Sequence, residues 1–164
     1  MNLKGPHVAV AALCDAILVE KDERISCIRF LDRFEIGIPE NAPDPFQVPL
    51  QINCFLSFKS GDFVGTKTVR VKLKHPLISE PKAPTIMTPN QFEADFKGGE
   101  HGYNITLQLN IVVDGSGLFM FDVLLDEDVV TRIPLRIDLK RVPLPQSEEL
   151  SSPHSEPEAS EPAV

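Results

Sequence analysis

YNITLQLNIVV, DGSG, LFMFDVLL, DED and VVTRIPLRIDL run consecutively over residues 103–139. Three apolar-alternating runs separated by two short turns read as a β-meander. In the first run Ile105, Leu107, Leu109, Ile111 and Val113 fall on one face, with Thr106, Gln108 and Asn110 on the other. Side chains alternate along a strand, so one face is buried and one is wet. The glycines of Asp114-Gly115-Ser116-Gly117 suit a tight turn, because they adopt positive φ without strain. The second run turns Phe119, Phe121, Val123 and Leu125 inward and Asp122 outward. The third sets Ile133, Leu135, Ile137 and Leu139 against Arg132, Pro134, Arg136 and Asp138. Pro134 has no N–H for a ladder, which points to an edge strand or a bulge, and the flanking arginines guard such an edge.

Working outward, further strands are legible. VAVAALCDAILV (8–19), a charged turn and Ile25–Phe30 make a hairpin, with an Ala-rich helix over 8–19 as the alternative. FLDRFEI (30–36) has mixed periodicity, and IPENAPDPF (38–46) is a proline-rich crossing. Residues 48–58 turn Leu50, Ile52, Cys54, Leu56 and Phe58 inward. Lys59-Ser60-Gly61-Asp62 then reverses the chain into 66–74, where Val69, Val71 and Leu73 oppose an outer face of Arg70, Lys72 and Lys74. Residues 75–90 hold four prolines and read as a crossing between sheets. Phe92, Ala94 and Phe96 form a short strand, and 97–102 a glycine-rich turn.

The pattern predicts an all-β domain over 1–142: an antiparallel β-sandwich of about seven to nine strands, immunoglobulin-like in architecture. The 22 residues after Val142 contain five Pro, five Ser and five Glu and no Lys or Arg. They bury too little apolar surface to offset ordering, so 143–164 is expected to be a disordered acidic tail.

Composition excludes more than it assigns. The net charge is -8, of which the tail carries -5. The remaining acidic core repels a phosphate backbone, so nucleic acid is not the expected partner. No run reaches the roughly 20 apolar residues of a membrane helix. Asp15 interrupts the short apolar stretch that a signal peptide would need, and a cytoplasmic location is expected. Cys14, Cys27 and Cys54 are odd in number and widely spaced, which suits free thiols in a reducing compartment. The four histidines lack metal-ligand spacing, and Asp126-Glu127-Asp128 offers too few convergent oxygens for calcium. Ser116 is in a Gly-Ser-Gly turn rather than a strand-to-helix elbow, and no acid, base and nucleophile set assembles. No cofactor, metal site or catalytic residue is expected.

Residues 12–36, ALCDAILVEKDERISCIRFLDRFEI, and 117–137, GLFMFDVLLDEDVVTRIPLRI, together resemble a family of small uncharacterised bacterial β-sandwich proteins. The resemblance implies a single β domain and says nothing about activity. Where those relatives carry a glycine in the second turn, this chain has Asp126-Glu127-Asp128, which implies a longer or bulged turn. The expected role is a non-catalytic interaction module that binds a protein partner or itself. Its candidate surfaces are the outer face of Arg70, Lys72 and Lys74 and the edge carrying Arg132, Pro134 and Arg136. Removing 143–164 is expected to leave the melting temperature nearly unchanged, as calorimetry of 1–142 beside the full chain would show.

Overall fold

The computed structural model describes residues 4–44, 46–74 and 91–143. They contain seven strands and no helix: β1 His7–Val19, β2 Ile25–Phe30, β3 Arg33–Pro39, β4 Val48–Lys74, β5 Gln91–Val113, β6 Gly117–Leu125 and β7 Asp128–Val142. The strands form one mixed sheet curled into a half-barrel, in the order β2-β1-β4-β6-β7-β3, with β5 on β4.

The architecture follows from one long ribbon. β4 and β5 pair antiparallel from Val48↔Val113 to Arg70↔Gln91, with register shifts only between Lys59 and Val64. At the shifts the backbone turns left-handed at four glycines: Gly61 (φ 56°), Gly65 (φ 138°), Gly98 (φ 73°) and Gly99 (φ 63°). Such bulges bend a ribbon and increase its twist. The first arm is therefore β2, β1, the start of β4 and the end of β5. The second is the start of β5, the end of β4, β6, β7 and β3.

Inside the curl the arms share one core. Leu13, Ile52, Leu56 and Leu109 come from the first arm, and Val69, Phe119, Phe121, Leu135 and Ile137 from the second. Aromatic rings fill the inside of the bend. Phe96 makes edge-on contacts with Phe58 (centroids 6.1 Å apart) and Phe63 (6.0 Å), and Tyr103 tilts against it at 6.0 Å.

Several expectations are corrected by this topology. Residues 59–62 and 97–102 do not reverse the chain; they are the facing bulges of a continuous ribbon. The 103–139 meander is broken, because β5 pairs with β4 while β6 pairs with β4 and β7. Asp114-Gly115-Ser116-Gly117 therefore carries the chain from one arm to the other. Neither of its glycines is left-handed, and Leu139 N–H donates to Ser116 Oγ at 2.8 Å to fix it on the second arm. The strands flanking 75–90 pair with each other, so that segment does not join different sheets; its own path lies outside the described residues, as does the expected disorder of 144–164.

The sheet is mixed rather than antiparallel throughout, because β3 runs parallel to β7 from Arg33↔Arg136 to Pro39↔Val142. The proline-rich crossing thus begins two residues later than IPENAPDPF suggests, after Pro39. Only the first half of β7 is an edge, and Pro134 lies two residues before the β3 ladder begins. The β6–β7 turn is tight, with Leu125 opposite Asp128 and Asp126 left-handed (φ 56°); the bulge lies one step back, between Val123 and Leu124. The β1–β2 hairpin forms as expected.

A Cβ on Gly98 would stand 2.9 Å from Val64 Cγ2, whereas one on Gly115 would meet nothing within 4 Å. Gly98→Ala should therefore lower the unfolding free energy by roughly 1–3 kcal/mol, against about 0.5 kcal/mol or less for Gly115→Ala. Phe96→Ala should cost about 3–5 kcal/mol by emptying the inside of the bend. Urea melts of the three variants check both statements.

Candidate functional site

Two outer faces compare directly, one on each arm. On the second arm Arg70, Lys72 and Lys74 project away from the core, as their alternation with Val69, Val71 and Leu73 requires. Cross-strand register sets Lys72 opposite Asp122 and Asp122 opposite Arg132. Asp122 is 1% exposed. Arg132 Nε donates to its Oδ1 at 3.2 Å, and Lys74 Nζ stands 2.7 Å from Oδ2. A buried carboxylate needs such partners, since an unpaired charge there costs far more than a surface ion pair returns.

Arg70 is also engaged. Its Nε and Nη2 donate to Gln91 Oε1 at 3.2 and 3.0 Å, and Nη1 lies 3.6 Å from Glu127. Arg136 and Arg33 share Asp138, at 2.9 and 2.8 Å. Lys140 pairs with Glu35 at 2.7 Å. The structure therefore gathers Lys72, Lys74 and Arg132 around Asp122, with Pro134 in the adjacent row opposite Met120. Arg136 belongs to a separate cluster. Most of this basic face is a lattice of paired charges, with Lys72 exposed at its surface. Asp122 is the residue whose importance sequence reading missed. The signal was present in its single acidic position between strands whose outer residues are Lys and Arg.

The first arm presents the opposite chemistry. Three rows cross its outer face: Phe30, Cys14, Asn53 and Gln108; then Ala12, Phe55 and Thr106; then Val10, Ser57 and Asn104. None of these residues is charged. Beyond Cys14, β1 pairs with β2 alone, so the hairpin extends past β4. Leu18, Ile28 and Phe30 are exposed on the outer face there, Phe30 by about two thirds (67%), and Val19 is exposed on the opposite face. They do not belong to the core cluster. Lone exposed apolar residues are ordinary, but a contiguous set on a charge-free face marks a contact surface.

No known protein family and no curated protein matches this chain. Among the described residues no group of three or more His, Cys, Asp and Glu is placed to hold a metal ion. No helix among them is long and apolar enough to cross a membrane. A cleft of about 280 Å³ opens beside the ribbon bend, lined by His7, Lys59, Gly61, Gly99 and Glu100, and His7 Nδ1 is buried without a hydrogen-bond partner among the described residues.

The three cysteines are free thiols, with Cys14 and Cys54 buried and Cys27 half-buried. Burial, then the neighbouring Cys27 thiol and the Asp15 charge, push the Cys14 thiol up to about 11. Burial first, and then the Cys14 and Cys27 thiols, push Cys54 up to about 12. The thiolate is the reactive form. Iodoacetamide at neutral pH should therefore modify Cys27 first and reach Cys14 and Cys54 only on unfolding, which peptide mass spectrometry resolves.

Hydrogen bonds from Arg136 and Arg33 hold the Asp138 carboxyl below the usual carboxylate range. Lys67 and the Thr68 N–H do the same for Asp126, and Lys140 for Glu35. A carboxyl depressed in the folded state stabilises it above the unfolded value, near 4, and loses that contribution as pH falls through the folded value. Stability should thus be level from neutral pH down to about 5 and decline below about 4. Asp138→Asn should flatten the decline, as denaturant midpoints measured against pH would show.

Proposed function

We propose that this chain is a non-catalytic interaction module whose two facing β-layers form an immunoglobulin-like sandwich, and that it binds protein through the outer face of the first arm. The observation that carries the reading is the contrast between the two outer faces. The second arm pairs its charges internally. The first presents no charge across three rows and exposes Leu18, Ile28 and Phe30 beyond the core.

That combination suits a protein contact, whose buried centre is depleted in charge. The acidic balance and the paired basic face disfavour nucleic acid. Three unbridged thiols fit a reducing compartment such as the bacterial cytoplasm. The resemblance of 12–36 and 117–137 to small bacterial β proteins accords with this reading and adds no activity to it.

Affinity purification with the immobilised full chain separates the candidate surfaces. A partner retained by the wild type and by Lys72→Glu, and lost with Phe30→Glu, places binding on the first arm. A partner lost only with Lys72→Glu moves it to the second arm. A small ligand in the cleft at the ribbon bend is the second reading, favoured by the buried His7 Nδ1, which has no hydrogen-bond partner among the described residues. A thermal shift with metals, sugars or nucleotides that His7→Ala abolishes would support it.

A further inference from the structure

Across most of the fold, basic side chains are ion-paired, as Lys67 is with Asp126, Lys140 with Glu35 and Arg141 with Asp44. Lys59 and Glu100 depart from that pattern. They line the same cleft at the ribbon bend, yet neither forms an ion pair with the other or with any described residue.

The cleft is a product of the bend. Between the register pairs Lys59↔Gly102 and Gly61↔Gly99, β4 has one residue, Ser60, where β5 has two, Glu100 and His101. Two residues opposing one is a bulge. Buried Ser60 donates from Oγ to the His101 carbonyl at 3.1 Å and pins it in place. One step further, left-handed Gly61 and Gly99 face each other, so that part of the wall is bare backbone. A Cβ on Gly99 would meet nothing within 4 Å. Glycine at such a place lets a ligand approach the main chain closely. His7 stands opposite Lys59 as the first pair of the β1–β4 ladder. Lys59 lies across Gly102, its Nζ 3.6 Å from where a Cβ on that glycine would stand. His7 Nδ1 is buried without a hydrogen-bond partner among the described residues, whereas buried polar atoms are nearly always satisfied.

We infer that this cleft binds a free α-amino acid, its carboxylate on the Lys59 ammonium and its ammonium on the Glu100 carboxylate. His7 Nδ1 completes the set, accepting from the ligand ammonium or donating to its carboxylate according to tautomer. The inference rests on the second reading above, a small ligand at the bend, and names its chemistry. A simple anion would satisfy Lys59 and be repelled by Glu100, and a simple cation would meet the reverse. A ligand carrying both charges answers both groups at once. Size agrees with this choice. Ligand pockets commonly span roughly 300–1,000 Å³, and a cleft of about 280 Å³ suits a molecule of amino-acid size better than an oligosaccharide.

The test is isothermal titration calorimetry of the full chain with the proteinogenic L-amino acids in turn. At least one should bind at millimolar concentration or below. Its N-acetyl derivative lacks the ammonium and its amide lacks the carboxylate, so each should bind roughly tenfold or more weakly than the parent. Lys59→Gln should weaken the parent by a similar factor and leave the amide unchanged. Glu100→Gln should weaken the parent and leave the N-acetyl derivative unchanged. Such a pattern couples each charge of the ligand to one residue. Both side chains are exposed, so both variants should melt with the wild type. Derivatives that bind as tightly as the parent overturn the zwitterion while sustaining a ligand at the bend. Parent binding that both variants leave unchanged overturns the site. If no amino acid binds, the inference is overturned, and the screen of metals, sugars and nucleotides against His7→Ala decides the second reading separately.

Discussion

The bend in the β4–β5 ribbon is the constraint on which everything else depends. A 27-residue strand would, if straight, span about 90 Å at 3.3 Å per residue, far longer than a domain of this size. Left-handed glycines on both strands let it fold back at one place. The bend turns one two-stranded ribbon into two arms whose inner faces meet. Phe58, Phe63, Phe96 and Tyr103 fill the inside of the corner, so the same packing that excludes water also sets the angle between the arms.

Strand positions were legible in the sequence because burial on one face imposes a period of two. Residues 50–58, 69–73, 92–96, 105–113, 119–125 and 133–137 all bury the face that their alternation indicates. Connectivity was less legible. Gly61, Gly98 and Gly99 supply positive φ, and a reversing turn and a bulge ask for the same property. Nothing local at 59–62 distinguishes a strand that turns back from one that kinks and continues. The same ambiguity hid the break between β5 and β6, where Asp114-Gly115-Ser116-Gly117 passes between arms. β3 was hidden for a different reason. It is short, it pairs in parallel with residues about a hundred positions away, and its mixed pattern reflects partial burial at an edge.

Of the candidate sites, the basic face was visible as residues and invisible as chemistry. Arg70, Lys74, Arg132 and Arg136 do face outward, yet their partners Gln91, Glu127, Asp122 and Asp138 come from other strands or from register that spacing alone does not reveal. The first arm's uncharged face went unnoticed because it is an absence spread over four separated segments. Only the register Cys14↔Asn53↔Gln108 brings those segments into one surface.

The parallel pairing of β3 with β7 has a consequence for how the chain is made. Arg33 bonds Asp138, and Lys140 bonds Glu35, in each case across 105 positions of sequence. During synthesis β1 and β2 emerge early and can form their hairpin at once. β3 then waits for a partner that arrives roughly 5 to 20 seconds later, at the usual pace of about 5–20 residues per second. Until then the second arm lacks both β6 and β7, and the core has only one wall. The domain closes only when β6 and β7 are delivered, so late-made strands complete a sheet begun by much earlier ones.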